Sequence, residues 1–226
     1  MKNNNWFICL IRSLSFFGLM LHIANVNALM ITNGDFETGD FSGWNTFTTS
    51  NGTLSGASDY GVSGFDVNGD FISSYAAKFS VGYDVPPCVY VDLCKNYEGG
   101  GISQQFASNN GIYSFSANIA VENTSIYGGY NRQGGLFSLL IDDIIVDSIE
   151  VGVIYAGETL MDELSYTGFL GDGLHTLSFL ITREWGPTTS LNQYLDDVKI
   201  TSVPEPSTML LISLGLIILI VKRSRQ

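Results

Sequence analysis

At 226 residues, with 45% hydrophobic and only 14% charged side chains, the chain is long enough for one domain with a sizeable core plus an extension at each end, and too apolar to be disordered. Twenty-five Gly, 14 Phe and 11 Tyr set among many Ser, Thr and Asn give the profile of an exported all-β domain rather than a helical one. Between Leu29 and Val203, five basic side chains (Lys78, Lys95, Arg132, Arg183, Lys199) stand against twenty-one acidic ones, a net charge of −16 that leaves no basic stripe for a phosphate backbone and excludes nucleic acid as a partner.

Residues 1–28 read as an export signal. Lys2 and Arg12 precede an apolar stretch from Leu14 to Ala24, and Val26 and Ala28 supply the small residues of a cleavage site after Ala28. Downstream, period-two alternation marks half-buried strands. It runs through "ISQQFA" (Ile102, Gln104, Phe106), "IYSFSANIAV" (Tyr113, Phe115, Ala117, Ile119, Val121), "GLFSLLI" (Phe137, Leu139, Ile141) and "HTLSFLIT" (Leu177, Phe179, Ile181). Asn110-Gly111, Gly134-Gly135 and Asp172-Gly173 punctuate these segments as turns. About eight to ten such strands without a long linker predict a single β-sandwich or jelly roll. No spacing repeats, which excludes a solenoid or propeller.

Cys88 and Cys94, in "PPCVYVDLCKNY", are the only cysteines beyond the export signal, and an even, closely spaced pair in an exported chain predicts a local disulfide. A zinc site would recruit further Cys or His, and the only His beyond the signal is His175. The chain closes on Pro204-Glu205-Pro206, an apolar run from Met209 to Val221 broken by Ser213 and Gly215, and the basic Lys222, Arg223 and Arg225. As a helix that run rises only about 20 Å, a marginal anchor for a hydrocarbon core of about 30 Å. The basic end is expected to stay cytoplasmic, which puts residues 29–203 on the far side of the inner membrane.

The Pro-Glu-Pro triplet, short hydrophobic segment and basic terminus of residues 202–226 resemble the PEP-CTERM sorting signal, found on many exported proteins of Gram-negative bacteria that make exopolysaccharide. The resemblance implies recognition by an exosortase, a membrane cysteine protease that cuts near Pro204, Glu205 and Pro206. The tail is then an address and a transient inner-membrane anchor, and the protein ends at the cell-envelope surface or outside the cell.

A second resemblance covers residues 29–201. "NGDFETGDFSGW" (Asn33 to Trp44) and "LDDVKI" (Leu195 to Ile200) resemble the first and last strands of galactose-binding-like jelly rolls, including carbohydrate-binding modules. "SYAAKFSVG", "GISQQF", "GIYSFSANI", "SLLIDDIIV" and "HTLSFLI" fall between them in that family's order. The hairpin Asp142-Asp143 departs from the more usual Asp-Gly and leaves its turn type open. The resemblance implies that the first and last strands lie together at a sheet edge and hold a structural Ca²⁺ between Glu37 and Asp196, with the Lys78 carbonyl as a third contributor. Asp196 shares strand parity with Val198 and Ile200, which points its carboxylate toward the core, where a cation would offset the cost of burial. The alternative is that Glu37 and Asp196 cap turns or sit in water.

Trp44 is expected in the core. Trp185, in the Gly/Pro loop "REWGPTT", and Tyr127 and Tyr130, in "SIYGGYNRQGG", are candidates for a platform under a sugar ring, with Arg132, Asn131 and Gln133 bonding its hydroxyls. No G-x-S-x-G elbow, no Ser–His–Asp order and no distinguished carboxylate pair is present, so an enzyme is not expected. The sequence therefore predicts an exported non-enzymatic surface or matrix protein, with a dedicated carbohydrate-binding module as the alternative.

Overall fold

The computed structural model describes residues 31–56, 59–70, 74–84, 97–187 and 190–203, together with Arg223. The export signal, Cys88, Cys94 and Pro204 to Pro206 lie outside the described residues. Among the described residues no helix is long and apolar enough to cross a membrane.

Two antiparallel five-stranded sheets pack face to face. The first runs β1 (Asn45–Thr48), β6 (Glu98–Ser108), β13 (Gly173–Arg183), β9 (Gly135–Ile141) and β10 (Ile144–Val151). The second runs β12 (Thr159–Leu170), β7 (Gly111–Asn123), β14 (Leu191–Val203), β4 (Tyr75–Phe79) and β3 (Gly61–Gly64). Two short ribbons complete the set, β2 (Gly52–Thr53) with β5 (Gly82–Tyr83) and β8 (Tyr130–Asn131) with β11 (Ile154–Tyr155). The sequence alternation is realised as an inner face. Phe115, Ala117, Ile119 and Val121 of the second sheet meet Phe137, Leu139, Leu177, Phe179 and Ile181 of the first in one buried cluster.

Trp44 joins that cluster as expected. Its ring stacks on Phe36 at 5.9 Å and its Nε1 donates to the Asn33 carbonyl at 2.9 Å, so the indole is buried with its one donor satisfied. The Asp142-Asp143 hairpin has φ of 51° and 64°, the type I′ geometry whose twist matches that of the flanking strands. The Asp142 carboxylate compensates for the missing glycine by accepting from the Thr176 amide at 2.9 Å and contacting His175.

The last strand is not at an edge. β14 sits between β7 and β4, but β4 pairs only with Gln193 to Leu195. Beyond that point the Asn33–Trp44 segment takes over as a series of turns rather than a strand, and the Val198 amide donates to the Gly34 carbonyl at 2.8 Å. A Cβ at Gly34 would lie 2.4 Å from the Val198 carbonyl oxygen, so only glycine permits this approach.

Candidate functional site

The end of the sandwich that carries the aromatic loops is built from the inside. Arg183 closes β13 in phase with Leu177, Phe179 and Ile181, which sends its side chain inward, and it is 1% exposed. Its Nε donates to the Gln133 carbonyl at 3.0 Å and its Nη1 to the carbonyls of Gly186 at 3.2 Å and Val81 at 3.5 Å. Burial lowers its pKa to about 10, which still leaves it charged at neutral pH. Gln133, also buried, accepts from the Glu184 amide at 2.8 Å and donates to Glu150 Oε1 at 3.2 Å. Gln193 accepts from the Val81 amide at 3.1 Å and donates to the Gly134 carbonyl at 2.9 Å. Three long polar side chains thus tie together the segments around 81, 133 and 184–186, whose backbone groups have no ladder to join.

On this base the structure pairs two of the predicted platform residues with each other, and a third with a ring the sequence did not single out. The Arg132 guanidinium lies over the Trp185 ring, 5.3 Å from its centroid, a cation–π arrangement. Tyr130 meets Tyr155 at 6.0 Å with the rings tilted by 57°, because β8 pairs with β11 and sets Tyr130 opposite Tyr155. Tyr127 joins neither pair among the described residues, and at 94% exposure it stands in solvent. Gln133 is corrected from the predicted set. Its amide is buried and engaged by Glu150 and the Glu184 backbone, so it positions the loop rather than facing a ligand.

A shallow cleft of about 250 Å³ opens elsewhere, between the edge strands β10 and β12. It is lined by Ile119, Val121, Ile149, Val151, Leu160 and Met161 with Glu150 and Asp162 alongside, and no aromatic ring among the described residues lines it.

The predicted calcium carboxylates do converge. Asp196 Oδ2 accepts from Ser74 Oγ at 2.9 Å and Glu37 Oε1 from the adjacent Tyr75 amide at 2.8 Å. Asp196 is 2% exposed, but its direction differs from the expectation. Asp196 pairs with Asn118 and Lys199 with Ser116, so β14 carries one extra residue there, with Asp197 at φ 54°. This bulge flips the strand's parity. Val198 and Ile200 face the core, whereas Asp196 shares the outer face with Tyr194. Burial, then the neighbouring Asp197 and Glu37 charges, push its carboxyl up to about 6 against the Asp197 amide and Ser74 hydroxyl that stabilise the anion. Lys78 stands opposite Tyr194 and Gly61, on a different rung from Asp196. Among the described residues no group of three or more His, Cys, Asp or Glu is arranged to hold a metal ion.

Comparison with known proteins bears on both ends of the chain. Residues 202–226 match the PEP-CTERM protein-sorting motif, which takes in Pro204, Glu205, Pro206, the apolar run and the basic end. No curated protein matches the chain. Similar solved structures include a family-61 carbohydrate-binding module in complex with β-1,4-galactotriose, at 15% identity over 77% of this chain and 99% of that one, with a TM-score of 0.46. A bacteriophage CBA120 tailspike protein 4 enzymatically active domain is similar at 15% identity over 78% of this chain and 22% of its own, with a TM-score of 0.45. A family-16 carbohydrate-binding module is similar at 12% identity over 76% and 99%, with a TM-score of 0.35.

Proposed function

We propose that the chain is a non-enzymatic surface or matrix protein, handled by an exosortase in a cell envelope that holds exopolysaccharide. The sorting motif at residues 202–226 carries this reading. The fate of the tail in the producing cell tests it. A shortened species outside the inner membrane is expected, and the full-length chain as the sole stable species in that membrane would overturn it.

The second reading is glycan binding at the loop end, favoured by the Arg132–Trp185 pair on its clamped base. A cation stacked on an indole holds the ring still, and the exposed Tyr130 and Tyr155 add apolar faces of the size of a sugar ring. Retention on polysaccharide affinity gels tests it, with no retention on any gel as the contrary result.

Calcium belongs to the same proposal as a structural ion. The donor set fits in kind, since the exposed Glu37 and the buried Asp196 offer hard oxygens beside the adjacent residues Tyr75 and Ser74, and further carbonyls must complete the six to eight that Ca²⁺ takes. An ion bound only by the folded state, present at one hundred times its Kd, adds about 2.7 kcal/mol to stability. Melting with calcium against EDTA reads this directly, and Asp196→Ala should abolish the difference while Asp142→Ala leaves it. Identical curves would remove calcium from the account. Cys88 and Cys94 are proposed to close a local disulfide, which predicts no free thiol in the oxidised protein.

A further inference from the structure

The outer face of the second sheet is ordered in rungs across β12, β7 and β14. In the rung nearest the end of β14, Phe169 and Val203 each stand directly opposite Ile112. Cross-strand neighbours on one face lie about 5 Å apart, so the three form one apolar bar. They are 68%, 42% and 39% exposed for Phe169, Ile112 and Val203. The next rung is Thr167, Ser114 and Thr201, with Thr167 Oγ1 donating to Ser114 Oγ at 3.2 Å, and the one behind it is Ser165, Ser116 and Lys199. Leu174 and Ile144 of the first sheet are also exposed at this end of the sandwich.

The bar lies where the chain leaves the sheet. Only Pro204 to Thr208 separate Val203 from the apolar run that starts at Met209. Five residues reach at most about 18 Å, so once that run enters a bilayer the bar is held within one tether length of the lipid. We propose that the Phe169–Ile112–Val203 bar seats the domain on the lipid surface while the chain is anchored, its side chains in the headgroup boundary and the hydroxyl rungs behind them in contact with headgroups. The proposal rests on reading residues 202–226 as a membrane-inserting sorting segment. The docking is apolar rather than electrostatic, because the domain carries a net charge of −16 and Asp142, Asp143 and Asp172 lie in turns at the same end. Added salt should therefore strengthen it by screening repulsion from anionic headgroups.

The full-length chain, with a benzophenone side chain at Phe169, Tyr127 or Leu214 in separate samples, is reconstituted in phosphatidylethanolamine–phosphatidylglycerol vesicles, and lipid adducts are weighed after illumination. Adducts at 169 and 214, each at several times the yield at 127, with the yield at 169 held or raised by salt, are the expected result. Adducts at 214 without adducts at 169 overturn the docking and leave the anchor standing. Lipid adducts at neither position overturn the anchor and the docking with it. A chain-to-chain adduct from 169 assigns the bar to a second copy and overturns the docking.

Discussion

At the end that carries Tyr130, Arg132 and Trp185 the connections are irregular, and long buried side chains reach across to hold them; at the end where Val203 leaves, the connections are tight turns, held by left-handed backbone and by side chains of the turns and strand ends themselves. In the first case Arg183, Gln133 and Gln193 satisfy backbone groups that no ladder reaches. In the second, Asp142 and Asp143 adopt the left-handed conformation of a two-residue hairpin, and Asn110 Oδ1 accepts from the Asp172 amide at 3.1 Å to tie neighbouring turns together. A loop held from beneath leaves its surface residues free to vary with whatever they contact. A turn held by its own φ and ψ and its own side chains has no such freedom.

Removing the buried clamp should separate the two ends most sharply. Arg183→Met keeps the apolar stem and strands two carbonyl partners in the interior and a third at its margin, and buried unsatisfied groups cost about 1–3 kcal/mol each. Chemical denaturation should show a loss of at least ~3 kcal/mol, and hydrogen exchange should rise first around residues 131–134 and 184–187; exchange rising equally at residues 109–112 would break the distinction.

Surface changes at the same end should do the reverse. Trp185→Ala is expected to weaken polysaccharide retention by about tenfold, on the scale of one lost ring contact, at a smaller cost in stability than Arg183→Met. Retention that survives this change would place the glycan contact elsewhere.

At the tail end, Asp143→Gly relieves a left-handed non-glycine residue whose side chain is not needed by the turn, and should raise stability by up to ~1 kcal/mol. A loss would mean that the Asp143 side chain supports the turn.

The smallest effect should come from His175. Its Nδ1 lies 2.6 Å from Asp142 Oδ2 and its Nε2 3.2 Å from the Gly171 carbonyl, so the imidazolium, which donates from both nitrogens, satisfies the site. The Asp142 hydrogen bond raises the His175 pKa over the opposing effect of burial. Burial would raise Asp142 as well, but His175 and the Thr176 amide hold its carboxyl below the ordinary value. A raised histidine contributes stability that is fully present below its unfolded pKa of about 6.5 and is lost as pH rises through the folded value. The lowered Asp142 contribution runs the other way, present above about 3.9 and lost as pH falls through its folded value. Melting temperature should therefore decline modestly from pH 6 to 8, and His175→Gln should flatten that decline without touching the loop end.

Much of this was legible in the chain itself, because alternation writes the inner face directly. Arg183, Gln133 and Gln193 are in phase with Phe179, Phe137 and Leu191, so the phase already placed them inward. Their residue types argued for the surface and concealed it. The bulge at Asp197 left no such trace, since Asp196, Val198 and Ile200 are evenly spaced and read as one continuous face. Tyr155 was invisible for a different reason. A two-residue ribbon has no period, and only the pairing of β8 with β11 brings that ring to Tyr130.

The placement of β14 has a mechanical consequence. The strand that leads into the tail is hydrogen-bonded to β7 over most of its length, with β4 on its other side at Gln193 to Leu195 and the Gly34 turn at Val198. Antiparallel ladder bonds run perpendicular to their strands. A pull between the tail and the opposite end of the sandwich would draw along β14 and load these bonds together in shear rather than opening them one at a time.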